Sequence, residues 1–116
     1  MKKVAIIGGG ISGLYIASLL KQNSNYEIIV YEKNNSVNLE KGYGIQLSVN
    51  SVKLLNQIGF QNLTLEEKFN PNRVDFYSLK NKEKICDLDI STFNNVDGKY
   101  TTLQRFTLID FLKNKL

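Results

Sequence analysis

Three glycines at the spacing Gly8-x-Gly10-x-x-Gly13 follow the apolar run at residues 4–7 and open a second apolar stretch. Glycines so placed do no acid–base chemistry. They remove side chains where a backbone must turn sharply and where a ligand must approach it closely. Gly8 permits the turn out of a strand, and Gly10 lets a pyrophosphate approach without meeting a Cβ. Gly13 lets the following helix pack closely, and small Ala17 extends that contact. The first-turn N–H groups at Ile11 and Ser12 then face the anion, aided by the helix dipole. Glu32 lies 19 residues after Gly13, close to the roughly 20 at which an acid accepts hydrogen bonds from a ribose. A carboxylate there disfavours a 2′-phosphate. Lys33 follows at the same edge.

The other reactive side chains are few. The chain has no histidine and one cysteine, Cys86, which excludes a His-based triad and a thiolate zinc site. Redox chemistry would therefore come from a bound cofactor. Asp75, Asp87 and Asp89 raise the question of a metal, but they form no dense ligand loop and their alternation equally suits solvent. Cys86 reads as a small buried residue. Phe69, Phe76, Tyr77, Phe93, Tyr100 and Phe106 read as packing residues first and as pocket walls second.

The elements that must position these residues follow from periodicity. A buried strand is expected over 3–7 and a helix over 11–21, with Leu14, Ala17 and Ser18 on one face. Asn23-Ser24-Asn25 marks a turn, and a second strand covers 27–31. Together they make a βαβ unit about 30 residues long. A polar loop spans 34–44, an extended piece 45–47, and a helix 50–58 with Val52, Leu55 and Ile58 aligned. Gly59 stands at its expected stop. A hairpin is expected from 73–79 and 84–90 around Asn81 and Lys82, a turn at Asp97-Gly98, a strand over 100–103 and a helix over 106–116.

The fold class is α/β: a Rossmann-like βαβ unit plus a helix and a β-hairpin, incomplete beside a full doubly wound sheet. One domain is the ceiling for 116 residues. Hydrophobic residues make up 42% of the chain, yet no apolar run approaches the roughly 20 residues of a membrane span. The expected location is the cytoplasm. Net charge is +4, but the lysines are scattered, so nucleic acid is not an expected partner.

The βαβ unit leaves NAD and FAD equal. Further along, GYGIQLSVNSVKLLNQIGF (residues 42–60) resembles the FAD-dependent aromatic-ring monooxygenases, particularly their salicylate-hydroxylase-like branch. That family has a Gly-small-Gly-Ile segment running into a helix that ends in Leu-Gly, then an Arg with leucines at helical spacing. Arg105, Leu108 and Leu112 match the last feature. The resemblance implies FAD, with Gly8, Gly10 and Gly13 at the pyrophosphate, Glu32 at the adenosine ribose, Gly44 near the ribityl chain and flavin, and Arg105 at the phosphate or ribityl region. It implies NAD(P)H and O2 as co-substrates and a small aromatic substrate. Residues 1–116 would be the N-terminal part of the FAD-binding domain, with 72–92 beginning the substrate-covering sheet. Val49 stands where the family has Pro, and Tyr43 where it has a small residue. The family's later Asp-Gly and Gly-Asp motifs are not matched; Asp97-Gly98 is a turn. A non-catalytic nucleotide-binding remnant and an NAD-dependent dehydrogenase module are the alternatives.

Overall fold

Val4, Ile6, Ile28 and Val30 are β-branched residues that suit a pleated, packed surface. They lie in strands β1 (Lys2–Ile7) and β2 (Tyr26–Tyr31), which pair in parallel with Val4 opposite Ile28 and Ile6 opposite Val30. The structure is a computed structural model and describes residues 1–34 and 43–116. Most of the polar loop expected over 34–44, including Gly42 of the resemblance segment, lies outside the described residues.

The chain divides into two units, Met1–Gly44 with Leu103–Leu116, and 45–102. In the first, helix α1 (Ile11–Lys21) connects β1 to β2 and packs on both. Its buried residues are Leu14, Ala17 and Ser18, the face expected from the helical period. Helix α3 (Arg105–Lys113) packs against α1, burying Leu108, Ile109, Phe111 and Leu112. The Ser18 hydroxyl lies 2.7 Å from the Leu14 carbonyl oxygen, to which it donates, and 3.4 Å from that of Leu112. A small hydroxyl is thus satisfied where two helices meet. α3 begins at Arg105, one residue earlier than periodicity indicates.

β1 is not the buried strand that its composition suggests. Val4 and Ile6 are half-buried, while Ile7 is 82% exposed. In β2, Ile29 and Tyr31 are exposed. Alternation along each strand sends successive side chains to opposite faces, and α1 covers one of them. On the other face Lys3 and Glu27 pair at 3.5 Å.

In the second unit, helix α2 (Val49–Asn56) buries Val52 and Leu55. Val49 is its first residue, a position where proline is also favoured, so the departure from the family pattern is conformationally mild. After α2 the chain makes one more turn, buries Ile58, and reverses at Gly59 with φ of +90°. A short 3-10 turn, Phe60–Asn62, follows. Strands β4 (Arg73–Tyr77) and β5 (Lys84–Asp89) form the expected hairpin, with Val74 opposite Leu88 and a register shift after Phe76. A second 3-10 turn, Ile90–Phe93, is capped by Asp89. Strands β3 (Gly44–Leu47) and β6 (Thr101–Gln104) also pair.

Two expectations fail in this unit. Cys86 is exposed, and five of the six aromatics are more than a third exposed: Phe69, Phe76, Tyr77, Phe93 and Phe106, the last in the first unit. A two-stranded hairpin has no second layer of its own, so alternation alone does not bury either face. The aspartates instead meet cations: Arg73 pairs with Asp87, and Lys84 with Asp75 at 3.5 Å.

Leu108 is 0% exposed in α3. Leu108→Ala is expected to lower the unfolding free energy by about 2–5 kcal/mol in urea titration. A loss below about 1 kcal/mol would contradict this packing.

Candidate cofactor-binding site

The glycine turn is built by backbone geometry. At the end of β1 the Gly8 N–H donates to the Tyr31 carbonyl at 2.7 Å, carrying the β1–β2 pairing one residue further. Gly8 then adopts φ of +104°, a conformation that side chains rarely tolerate. Gly10 is extended, caps α1, and accepts from the Leu14 N–H at 2.9 Å. A Cβ at Gly13 would lie 2.0 Å from the Gly8 carbonyl oxygen and 3.3 Å from Ile6 Cγ2. The requirement for glycine at 13 therefore comes first from the turn's own carbonyl and second from the strand. Among the described residues, a Cβ at Gly10 would meet nothing within 4 Å, so no contact there demands glycine and the space beside it is open.

α1 begins without a side-chain cap, has no acidic residue in its first turn and carries Lys21 in its last. The Ile11 and Ser12 N–H groups belong to the first turn, where helix geometry provides no intrahelical acceptor. With the dipole they make a positive helix end beside the open Gly10.

Glu32 is brought to this turn. Its Oε2 accepts from the Gly9 N–H at 2.7 Å, and its Oε1 from the Asn34 N–H at 3.0 Å. A Cβ at Gly9 would come within 3.1 Å of Glu32 Cβ, so the middle glycine of the run serves the acid. Gly9 occupies a variable motif position, and the uninterrupted Gly8-Gly9-Gly10 is the one signal of its role in the sequence. Each carboxylate oxygen retains acceptor capacity for a ribose hydroxyl. The backbone N–H groups of Asn34 and then Gly9 hold the Glu32 carboxyl below its usual pKa. Lys33 is exposed beside it.

The two downstream residues meet each other. The Arg105 N–H donates to the Tyr43 carbonyl at 3.0 Å, tying the start of α3 to the residue before Gly44. Among the described residues, a Cβ at Gly44 would also meet nothing within 4 Å. Arg105 is half-buried, and among the described residues no carboxylate lies within 4 Å of its guanidinium. No hydrogen bond among the described residues joins this pair to the glycine turn, although both belong to the first unit.

Carbon-detected NMR titration should place the Glu32 midpoint below the model-peptide value of about 4.3. A lowered folded-state pKa contributes stability above the unfolded value, and that contribution disappears as pH falls through the folded value. A midpoint at or above the peptide value would rule out the two backbone donors.

The family described as an NAD(P)-binding Rossmann-like domain matches residues 6–39, which contain the whole glycine turn and Glu32. A 3-amino-4-hydroxybenzoate 2-monooxygenase of Streptomyces platensis, PtnB3, is 42% identical over 57 residues, covering 49% of this chain and 14% of that enzyme. An FAD-dependent monooxygenase of Nectria sp., ntnA, is 38% identical over 65 residues, covering 55% of this chain and 8% of that protein. In fold, 2-methyl-3-hydroxypyridine-5-carboxylic acid oxygenase superposes on 99% of this chain with a TM-score of 0.81 at 22% identity. Klebsiella pneumoniae HpxO, solved with FAD and uric acid, superposes on 97% with a TM-score of 0.78 at 23% identity. This chain spans 29% and 28% of those two structures. By sequence over about half its length and by fold over nearly all of it, the chain matches an N-terminal portion of the flavin-dependent aromatic-ring monooxygenases.

Proposed function

We propose that this chain provides the adenosine- and pyrophosphate-binding part of an FAD-dependent monooxygenase that hydroxylates a small aromatic substrate with NAD(P)H and O2. The observation that carries the reading is the glycine turn: a Cβ at Gly13 would strike the Gly8 carbonyl, whereas among the described residues a Cβ at Gly10, at the N-terminus of α1, would meet nothing. Open space beside a positive helix end fits a pyrophosphate. The monooxygenase relatives favour a flavin dinucleotide over a nicotinamide one in this position.

In this reading Gly8 sets the turn, Gly10 admits the pyrophosphate, and the Ile11 and Ser12 N–H groups donate to its oxygens. Gly13 holds α1 close to the turn. Glu32, already oriented by Gly9 and Asn34, accepts from the adenosine ribose, with Lys33 at the same edge. Gly44 leaves room for the ribityl chain, and Arg105 supplies a permanent multi-donor cation toward phosphate or ribityl oxygens. FAD, when bound, supplies the redox and oxygen chemistry, and the side chains supply position and electrostatics. Among the described residues no helix is long and apolar enough to cross a membrane. A cytoplasmic site of action suits the single free thiol.

Flavin titration of the chain, followed by fluorescence quenching, tests the reading. Gly10→Ala should weaken FAD binding by about tenfold or more while moving the thermal midpoint only slightly, since the added methyl meets no atom of the described residues. Gly13→Ala should instead lower stability by about 1–3 kcal/mol, because the Gly8 carbonyl must move. Equal FAD affinity for the parent and Gly10→Ala would overturn the assignment. Tighter binding of NADH than of FAD would favour a dehydrogenase module.

A further inference from the structure

Two aliphatic side chains of the second unit are almost bare: Leu65 is 85% exposed and Val96 100%. Single exposed apolar residues are ordinary on a protein surface. These two, however, line one groove of about 480 Å³, together with Val52, Leu63, Lys68 and Lys99. That volume lies within the range of small-molecule sites. The apolar lining is aliphatic. Phe60 also borders the groove, but it is 0% exposed, and the Lys68 ammonium lies 5.1 Å from its ring centroid.

The charge of the groove is one-sided. Lys68 and Lys99 line it, and among the described residues no Asp or Glu does so. The acids beside it in sequence are engaged: Glu67 Oε2 accepts from the Thr64 N–H at 2.8 Å, and Asp97 pairs with Lys53 at 3.5 Å. Lys68 is half-buried and donates to the Phe60 and Gln61 carbonyls at 3.1 and 3.2 Å. These bonds orient the ammonium and use two of its three N–H donors. Burial lowers the Lys68 pKa, and Glu67 offsets this only in part, as expected of a cation short of counter-charge. Lys99 is exposed and makes no ion pair among the described residues. Asn95 lies on the same lining. Its Oδ1 accepts from the Asp97 and Gly98 N–H groups at 2.9 and 3.1 Å, which leaves its amide donors for another partner. Cations and spare donors thus share one groove with aliphatic surface.

We propose that this groove binds an aliphatic carboxylate of medium chain length, with the carboxylate at Lys68 and Lys99 and the chain along Leu63, Leu65 and Val96. The site shares no residue with the glycine turn, needs no flavin and does not rest on the monooxygenase reading.

The test is NMR titration of the full chain with octanoate, hexanoate, butyrate and hexan-1-ol. Octanoate should produce saturable shifts at the Leu65 and Val96 methyls and bind about tenfold tighter than butyrate, with hexanoate between them. Lys99→Gln should weaken octanoate by about threefold and leave hexan-1-ol unchanged. Lys99 is the cleaner variant because Lys68 also holds two backbone carbonyls. Val96→Ser should weaken octanoate and hexan-1-ol alike, with the amide spectrum confirming that each variant folds. Absence of saturable octanoate shifts at these methyls, equal affinity for octanoate and butyrate, or undiminished octanoate binding in Lys99→Gln would overturn the proposal. Shifts confined to the Val74 and Leu88 methyls would place octanoate at the hairpin and overturn it equally.

Discussion

The glycine turn depends on one close approach. Where Gly13 passes the Gly8 carbonyl, there is space for a hydrogen but not for a methyl. That contact fixes how the first turn of α1 leaves the end of β1. The Leu14 N–H bond to Gly10 starts the helix, and the Gly8 N–H bond to Tyr31 places the turn against the end of β2. Glu32 follows Tyr31 directly, so the same arrangement brings its carboxylate onto the Gly9 N–H. Three glycines thus have three different duties: backbone conformation at 8, reception of the acid at 9, and open access at 10.

The consequence is electrostatic as well as steric. A carboxylate accepting two backbone N–H bonds is held ionised and fixed in orientation, beside a helix N-terminus that carries partial positive charge. Positive helix end and negative side chain are set apart by a short stretch of chain. Such a polarity suits a ligand whose phosphates and ribose hydroxyls make opposite demands on one site. Arg105, at the first position of α3 and bonded through its backbone to Tyr43, adds a second positive group to the same unit. Its cation at a helix start is unfavourable toward the dipole unless an anion is near, which is consistent with a phosphate partner.

The second unit follows a different rule. The cross-strand pairing places Asp75 opposite Asp87, an arrangement that would repel without Arg73 and Lys84 between them. The cations hold the charged residues on one face and leave Val74, Phe76 and Leu88 on the other. Those apolar residues gather with Ile90 and Phe93 around a cavity instead of disappearing into a core. The hairpin is therefore both a charged ribbon on one face and one wall of a chamber on the other.

Much of this was legible in the residues themselves. The bounds of α1 and its buried face follow from an uninterrupted helical period beginning after Gly10. The hairpin, the stop at Gly59 and the role of Gly8 follow from local backbone sterics, which a few neighbouring residues decide. The distance from Gly13 points to an acid at the glycine turn, and the Glu32 carboxylate does reach the Gly9 N–H. Burial was not recognisable in the same way. Cys86, Phe76 and Phe93 have the composition of packed residues and are exposed, and Ile7 ends an apolar strand yet faces outward. Local sequence determined conformation and the alternation of faces, because those depend on bonded neighbours and short-range clashes. Tertiary structure alone decided which face is covered, that Gly9 serves Glu32, and that Arg105 lies beside Gly44. Each of these depends on a partner far away in the chain, and periodicity carries no information about where that partner will be.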